Sequence, residues 1–205
     1  VLEMAWGQLA ERHGVPKTAS GDNAGFLIVG YGKLGGIELG HGSDLDLVFL
    51  HNADPAKSTD GEKPLDSASF FARLGQRIIH ILTARLPSGD LYEVDMRLRP
   101  SGKSGMLVSS LAAFEKYQVE DAWVWEHQAL VRARAIAGSE ELAQQFASVR
   151  ERVLCRARDR DELQASVVEM REKMRKHLGS GSAEDGEPEI FNLKQDAGGI
   201  VDIEF

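Results

Sequence analysis

The chain has a single cysteine, Cys155, among 205 residues. That excludes an internal disulfide and a cysteine-built metal cluster, and it favours a reducing compartment, expected to be the cytoplasm. Cys155 itself reads as a small buried apolar residue. No apolar run comes near the roughly 18 to 20 residues that a membrane span needs, and the N-terminus lacks the basic-then-apolar layout of a signal peptide. Membrane association is therefore not expected. Basic residues are in short supply: 24 Lys and Arg stand against 32 Asp and Glu, a net charge of −8 that would repel a nucleic-acid backbone. A nucleic-acid partner is not expected either. The chain lacks internal repeats, and its one biased stretch is the Gly/Ser/acidic segment 179–188. It also lacks an initiating Met and stops at Ile203-Glu204-Phe205 within an apolar pattern, so it is read as a piece of something longer.

What is present centres on Gly30 to Leu50. An apolar run, Phe26 to Val29, enters a stretch carrying Gly30, Gly32, Gly35 and Gly36, and Ser43-Asp44-Leu45-Asp46 leads into a second apolar run. This is strand, glycine-rich connection, strand. In extended chain, alternate side chains share a face, so Asp44 and Asp46 point one way while Leu45, Leu47 and Phe49 point the other. Upstream, Leu2, Trp6 and Leu9 predict a packing helix that His13-Gly14 and Pro16 end. Downstream, Asp66 or Ser67 caps a helix through Phe70, Phe71, Leu74, Ile78, Ile81, Leu82 and Leu86. Alternation predicts a third strand over Leu91 to Leu98 with Asp95 on its oddly polar face, followed by the loop 100–105 and a short extended segment, Met106 to Val108.

From Ser109 the pattern turns helical. Ser110 caps a helix over Phe114 and Tyr117; a second is predicted over 122–137 with Trp123, Leu130 and Ile136 inward and Gly138 as its stop. Two more follow, 140–154 and 161–178, with charges paired at i, i+4. Phe191 to Lys194 reads as a short strand. Trp123 and Trp125 are read as core, and His41 and His127 as polar structural residues.

Two carboxylates on one face of an apolar strand cost several kcal/mol unless solvated, paired or metal-bound. With a glycine loop upstream and Asp95 on a later strand, they read as a magnesium site. Mg²⁺ takes hard oxygen ligands and keeps substrate phosphates in its shell, and two ions roughly 3.5 to 4 Å apart suit in-line displacement at phosphorus. Asp44 and Asp46 would bridge both ions and Asp95 would hold the one nearest the attacking oxygen and aid its deprotonation. Gly32, Gly35 and Gly36, through backbone N–H groups, and the Ser43 hydroxyl are the candidates for holding a triphosphate. Lys33, Arg97 and Arg99 are candidates for neutralising its charge, with surface ion pairs as the other reading of each.

Gly32, eleven intervening residues and Asp44-Leu45-Asp46, with Asp95 on a following strand, resemble the nucleotidyltransferase superfamily of DNA polymerase β. Longer stretches, Gly30-Tyr31-Gly32-Lys33-Leu34-Gly35-Gly36, Val94-Asp95-Met96-Arg97-Leu98-Arg99-Pro100-Ser101-Gly102, Trp125-Glu126-His127-Gln128-Ala129-Leu130-Val131-Arg132-Ala133-Arg134 and Lys194-Gln195-Asp196-Ala197-Gly198-Gly199-Ile200-Val201-Asp202-Ile203-Glu204-Phe205, are similar to glutamine synthetase adenylyltransferases. The resemblance implies an α+β fold: a small mixed β-sheet nucleotidyltransferase core with flanking helices over 1–108, then a helical region over 109–205. It implies ATP as substrate, Mg²⁺ as cofactor and glutamine synthetase as protein substrate. The signal-transducing PII protein is a partner only through a longer chain. That family joins two related domains, one transferring AMP to a tyrosine and one removing it by phosphorolysis. The wording at His127-Gln128 is similar to the transferring half, since the removing half typically reads Trp-Glu-Arg-Tyr there. Asp202 and Glu204 lie in a shared motif whose spacing leaves nucleotide contact and helix anchoring both open.

Three other classes compete. Asp44-Leu45-Asp46 matches a phosphatase of the haloacid dehalogenase type, but there the apolar strand should precede the Asp pair. A metal-dependent glycosyltransferase leaves the glycine loop and Asp95 without a purpose. A nucleotide sensor without turnover gives no reason to keep all three Asp.

Overall fold

The computed structural model describes residues 1–85, 87, 89, 92–180 and 191–204. Helix α1, Leu2–His13, precedes strand β1, Phe26–Gly30, whose five residues are all buried. A four-residue helix, α2, Gly32–Gly35, separates it from β2, Leu45–His51. These strands pair antiparallel, Phe26 opposite His51 and Gly30 opposite Leu47. Helix α3, Ser67–Leu82, starts where the Asp66 carboxylate accepts the Ser69 N–H at 2.8 Å. It stops at Leu82, earlier than the expected Leu86, which lies outside the described residues.

The third strand is much shorter than expected. Strand β3 is only Val94–Asp95, parallel to the start of β2, because the chain turns where the Arg97 N–H donates to the Asp95 carboxylate. Leu91 lies outside the described residues. Strand β4, Val108–Ser110, runs parallel to the second half of β2. Ser110 then caps α4, Leu111–Glu120, by accepting the Ala113 N–H at 3.1 Å.

The helix expected over 122–137 is a correction. Helix α5 covers only Val124–Val131, and Arg134–Gly138 forms strand β5, antiparallel to β1. Ala-rich residues favour helix locally, but β1 has apolar side chains buried on both faces and a second edge whose N–H and C=O groups need partners; pairing there overrides propensity. Helices α6, Glu140–Leu154, and α7, Arg160–Leu178, follow, capped by Ser139 and Asp159, and α8 is Ile200–Glu204. No strand forms over 191–194. There the Asn192 side chain accepts the N–H groups of Lys194 and Gln195 and makes a turn. Most of the segment 179–188 lies outside the described residues.

The result is a mixed five-stranded sheet, β3-β2-β1-β5 with β4 also on β2, within an α+β fold. Phe26, Ile28, Leu47 and Phe49 face α1 and α3, meeting Phe70, Phe71, Leu74 and Ile78. Leu27, Val29, Val48 and Leu50 face the other side, meeting Phe114, Leu142, Phe146 and Val149. Each fully buried side chain of this size contributes about 1.5–3 kcal/mol.

Contacts divide the chain into two compact units, residues 1–122 with 129–155 and residues 123–128 with 156–205. The first holds the whole sheet. In the second, the buried Arg171 of α7 pairs with Asp202 and donates to the carbonyls of Gln195 at 2.8 Å and Asp196 at 3.2 Å. Two expectations of burial fail. Cys155 is exposed where it ends α6, and Trp123 is 63% exposed while Trp125 is half-buried. No helix among the described residues is long and apolar enough to cross a membrane.

Candidate active site

At the end of β1 the Tyr31 N–H donates to the Asp46 carbonyl at 2.9 Å, so the glycine turn starts beside the first residues of β2. Gly32 has φ +51°, and a Cβ there would stand 2.6 Å from Asp46 Oδ2. Only glycine leaves that carboxylate its place. Lys33 is exposed on α2, between Gly32 and Gly35. Ser43 is buried and its Oγ accepts the Gly40 N–H at 3.3 Å, closing the turn that delivers Asp44.

Strand β3 supplies the third carboxylate. Leu45 is in register with Val94 and Asp46 with Asp95, and the Leu45 N–H donates to the Glu93 carbonyl at 2.7 Å. In-register residues of neighbouring strands share a face at a strand spacing of about 4.8 Å. Asp44, two residues before Asp46, lies exposed at the strand entry.

Arg97 stands among these acids. Its backbone N–H donates to Asp95 Oδ1 at 2.8 Å, its Nε to Oδ2 at 2.6 Å, and its Nη2 pairs with the same carboxylate. The Arg97 hydrogen bond, with help from Lys103, holds the Asp95 carboxyl below the usual range. Reciprocally, Asp95 first and then the charges of Asp46 and Asp44 raise the Arg97 pKa. Arg99 does something else. Its guanidinium donates to the carbonyls of Met96 at 2.6 Å, Lys103 at 3.1 Å and Gly105 at 3.3 Å, tying down the loop 100–105. Asp202, in the other unit, is held by Arg171, by Arg175 and by the Gly198 N–H at 2.6 Å, an anchor for α8. The Glu204 side chain lies outside the described residues.

The donors are all hard carboxylate oxygens on neighbouring strand positions, and Gly32 gives the Asp46 carboxylate its room; that chemistry fits a divalent cation carrying phosphates. Among the described residues no three His, Cys, Asp or Glu side chains are yet gathered as a cation cluster. Arg97 engages both oxygens of Asp95.

Two residues escaped sequence reasoning. Lys103 lies in the loop 100–105, which reads as flexible and suited to phosphate without singling out this residue. Arg134 donates to the carbonyls of Gly35 at 3.1 Å and Leu34 at 3.2 Å across 99 and 100 positions, a contact no local pattern signals.

The family described as "Glutamate-ammonia ligase adenylyltransferase" matches residues 1–149. Proteins named "Bifunctional glutamine synthetase adenylyltransferase/adenylyl-removing enzyme" cover the whole chain. Those of Pseudomonas putida and Pseudomonas aeruginosa are 59% identical over 216 and 214 residues, and that of Pseudomonas syringae is 60% identical over 214. The chain spans 22% of the length of each.

Proposed function

Because the chain belongs to the glutamate-ammonia ligase adenylyltransferase family, we propose that it transfers AMP from ATP to a tyrosine of glutamine synthetase. The observation that carries this reading is the in-register pair Asp46 and Asp95 beside the glycine turn. Asp44, Asp46 and Asp95 would hold magnesium, two ions in this reading, which supplies the charge neutralisation that displacement at phosphorus requires.

The remaining work falls to the chain. First-turn N–H groups of a helix lack partners within it, so those of Gly32, Lys33 and Leu34 bind the triphosphate together with the Lys33 ammonium, and Ser43 shapes the approach; the N–H groups of Gly35 and Gly36, expected to join them, instead donate to the carbonyls of Tyr31 and Gly32 at 3.0 Å each. Arg97 and Lys103 supply further positive charge, and Arg99 acts by fixing the loop that carries Lys103. The tyrosine oxygen forms a bond to the α-phosphorus; the bond to the bridging oxygen breaks, its electron pair leaves with pyrophosphate, and the hydroxyl proton passes to solvent. In this reading Asp95, which would hold the ion nearest the attacking oxygen, orients the hydroxyl and aids its deprotonation. In this reading the catalytic residues fall within 1–108, the region 109–205 supports them, and the reaction belongs in the cytoplasm. PII regulation would reach it only through a longer chain.

The test is transfer from labelled ATP to purified glutamine synthetase. Asp46→Asn should lower the rate at least about 100-fold with the circular dichroism spectrum unchanged. Undiminished transfer by that variant would overturn the reading. The relatives' double name favours one second reading, the adenylyl-removing reaction, which phosphate-dependent release of ADP from adenylylated glutamine synthetase would reveal.

A further inference from the structure

We propose that Arg134 is the positioning residue that sets the phosphate-binding turn, acting from strand β5 and touching neither nucleotide nor metal. The inference rests on the nucleotidyltransferase reading above.

A helix of four residues cannot hold itself together, because nucleation costs more than its few internal bonds return. Helix α2 must therefore be held from outside. Arg134 is the register partner of Gly30, the last residue of β1, which places it beside the point where the turn begins. Its Nε donates to the Gly35 carbonyl and its Nη2 to the Leu34 carbonyl, which also accepts the Ile37 N–H at 3.4 Å, so the guanidinium closes the end of the helix. Next to it, Arg132 Nη1 donates to Glu38 Oε2 at 3.3 Å, and the Arg132 carbonyl lies so close that a Cβ on Gly35 would meet it at 2.0 Å.

The turn is strained as well as short. Ile37, a β-branched residue 78% exposed, has φ +63°. Such a conformation persists only where the surroundings impose it. The hydrogen bonds that Arg134 and Arg132 make on either side of Ile37, to Leu34 and Gly35 and to Glu38, do so. A guanidinium at the C-terminal end of α2 also complements the local backbone dipoles, leaving the N–H groups of the first turn directed at the Asp46 end of the site. The hold is a fork: two donors of one planar group on two successive carbonyls, which a single ammonium cannot reproduce.

The test is calorimetric titration of the 205-residue chain with Mg·ATP, for wild type, Arg134→Gln, Arg134→Lys and a control, Arg152→Gln, whose pair with Glu115 lies on exposed helix surface. The expected result is a Kd raised at least tenfold in Arg134→Gln and by less in Arg134→Lys, with the control unchanged. Amides 32–38 should exchange hydrogen faster in both Arg134 variants while those of β2 do not, and in the transfer assay KM for ATP should rise while KM for the protein substrate stays. Wild-type Kd and KM for ATP in a folded Arg134→Lys overturn the inference, and that variant decides if Arg134→Gln fails to fold. Failure of the wild type to bind Mg·ATP would instead sink the nucleotidyltransferase reading itself.

Discussion

His51 shows how burial alone reshapes a side chain's chemistry. It is 8% exposed, stacked on Phe71 at 4.3 Å between ring centroids, and its Nδ1 accepts the Ala53 N–H at 3.1 Å. Desolvation lowers its pKa from 6.5 to about 4. Between those values the unfolded chain binds the proton and the folded chain does not, so stability falls as pH drops from 6.5 towards 4, by about 3 kcal/mol in all. Above pH 6.5 the contribution is flat. Urea unfolding across that range should show the wild type losing this increment and His51→Gln not losing it; parallel curves would refute the assignment. At the same scale, Arg97 and Arg99 read alike in the sequence, two residues apart. The structure gives one to the carboxylates and the other to three loop carbonyls, a difference of side-chain reach that no spacing encodes.

Helix α3 separates what forms an element from what docks it. Its Asp66 cap satisfies one orphan N–H, and its apolar face buries Phe70 completely against Trp6 at 5.5 Å and Phe71 at 5.5 Å. Asp66→Ala should cost about 1 kcal/mol, whereas Phe70→Ala should cost about 3–5 kcal/mol because it opens a cavity that the aromatic cluster cannot close. Equilibrium denaturation of both variants checks the ranking, and equal losses would mean that the face is not packed as described. Both features were legible in the sequence, being set by neighbours three and four residues away. Strand β5 was not. Its residues favour helix in isolation, and only the waiting edge of β1 makes them a strand.

The molecule as a whole contains two contact units, and the smaller has a charged clasp where the larger has an apolar core. Arg171 joins the turn at Gln195 and Asp196 to Asp202 of α8, and the Arg171 hydrogen bond keeps the Asp202 carboxyl below its usual range. Arg171→Met removes the clasp and leaves Asp202 without its buried partner. Amides 192–203 should then exchange at least about tenfold faster, while those of β1 and β2 keep wild-type protection. Faster exchange throughout the sheet as well, or no change at 192–203, would contradict the division of labour.

By itself the sequence determined the β1–turn–β2 unit and the caps of α3 and α4, because each is written in residues a few positions apart: alternation of faces, helical spacing, a hydroxyl or carboxylate before a first turn; the α+β fold class came from longer motifs that resemble a known family. The tertiary structure alone decided that β3 shrinks to two residues, that 134–138 is a strand, that Arg97 sits on Asp95 and that Arg134 grips the glycine turn. Those outcomes depend on which distant backbone groups need partners and on which charges the fold brings within reach, and a chain reveals neither until it closes on itself.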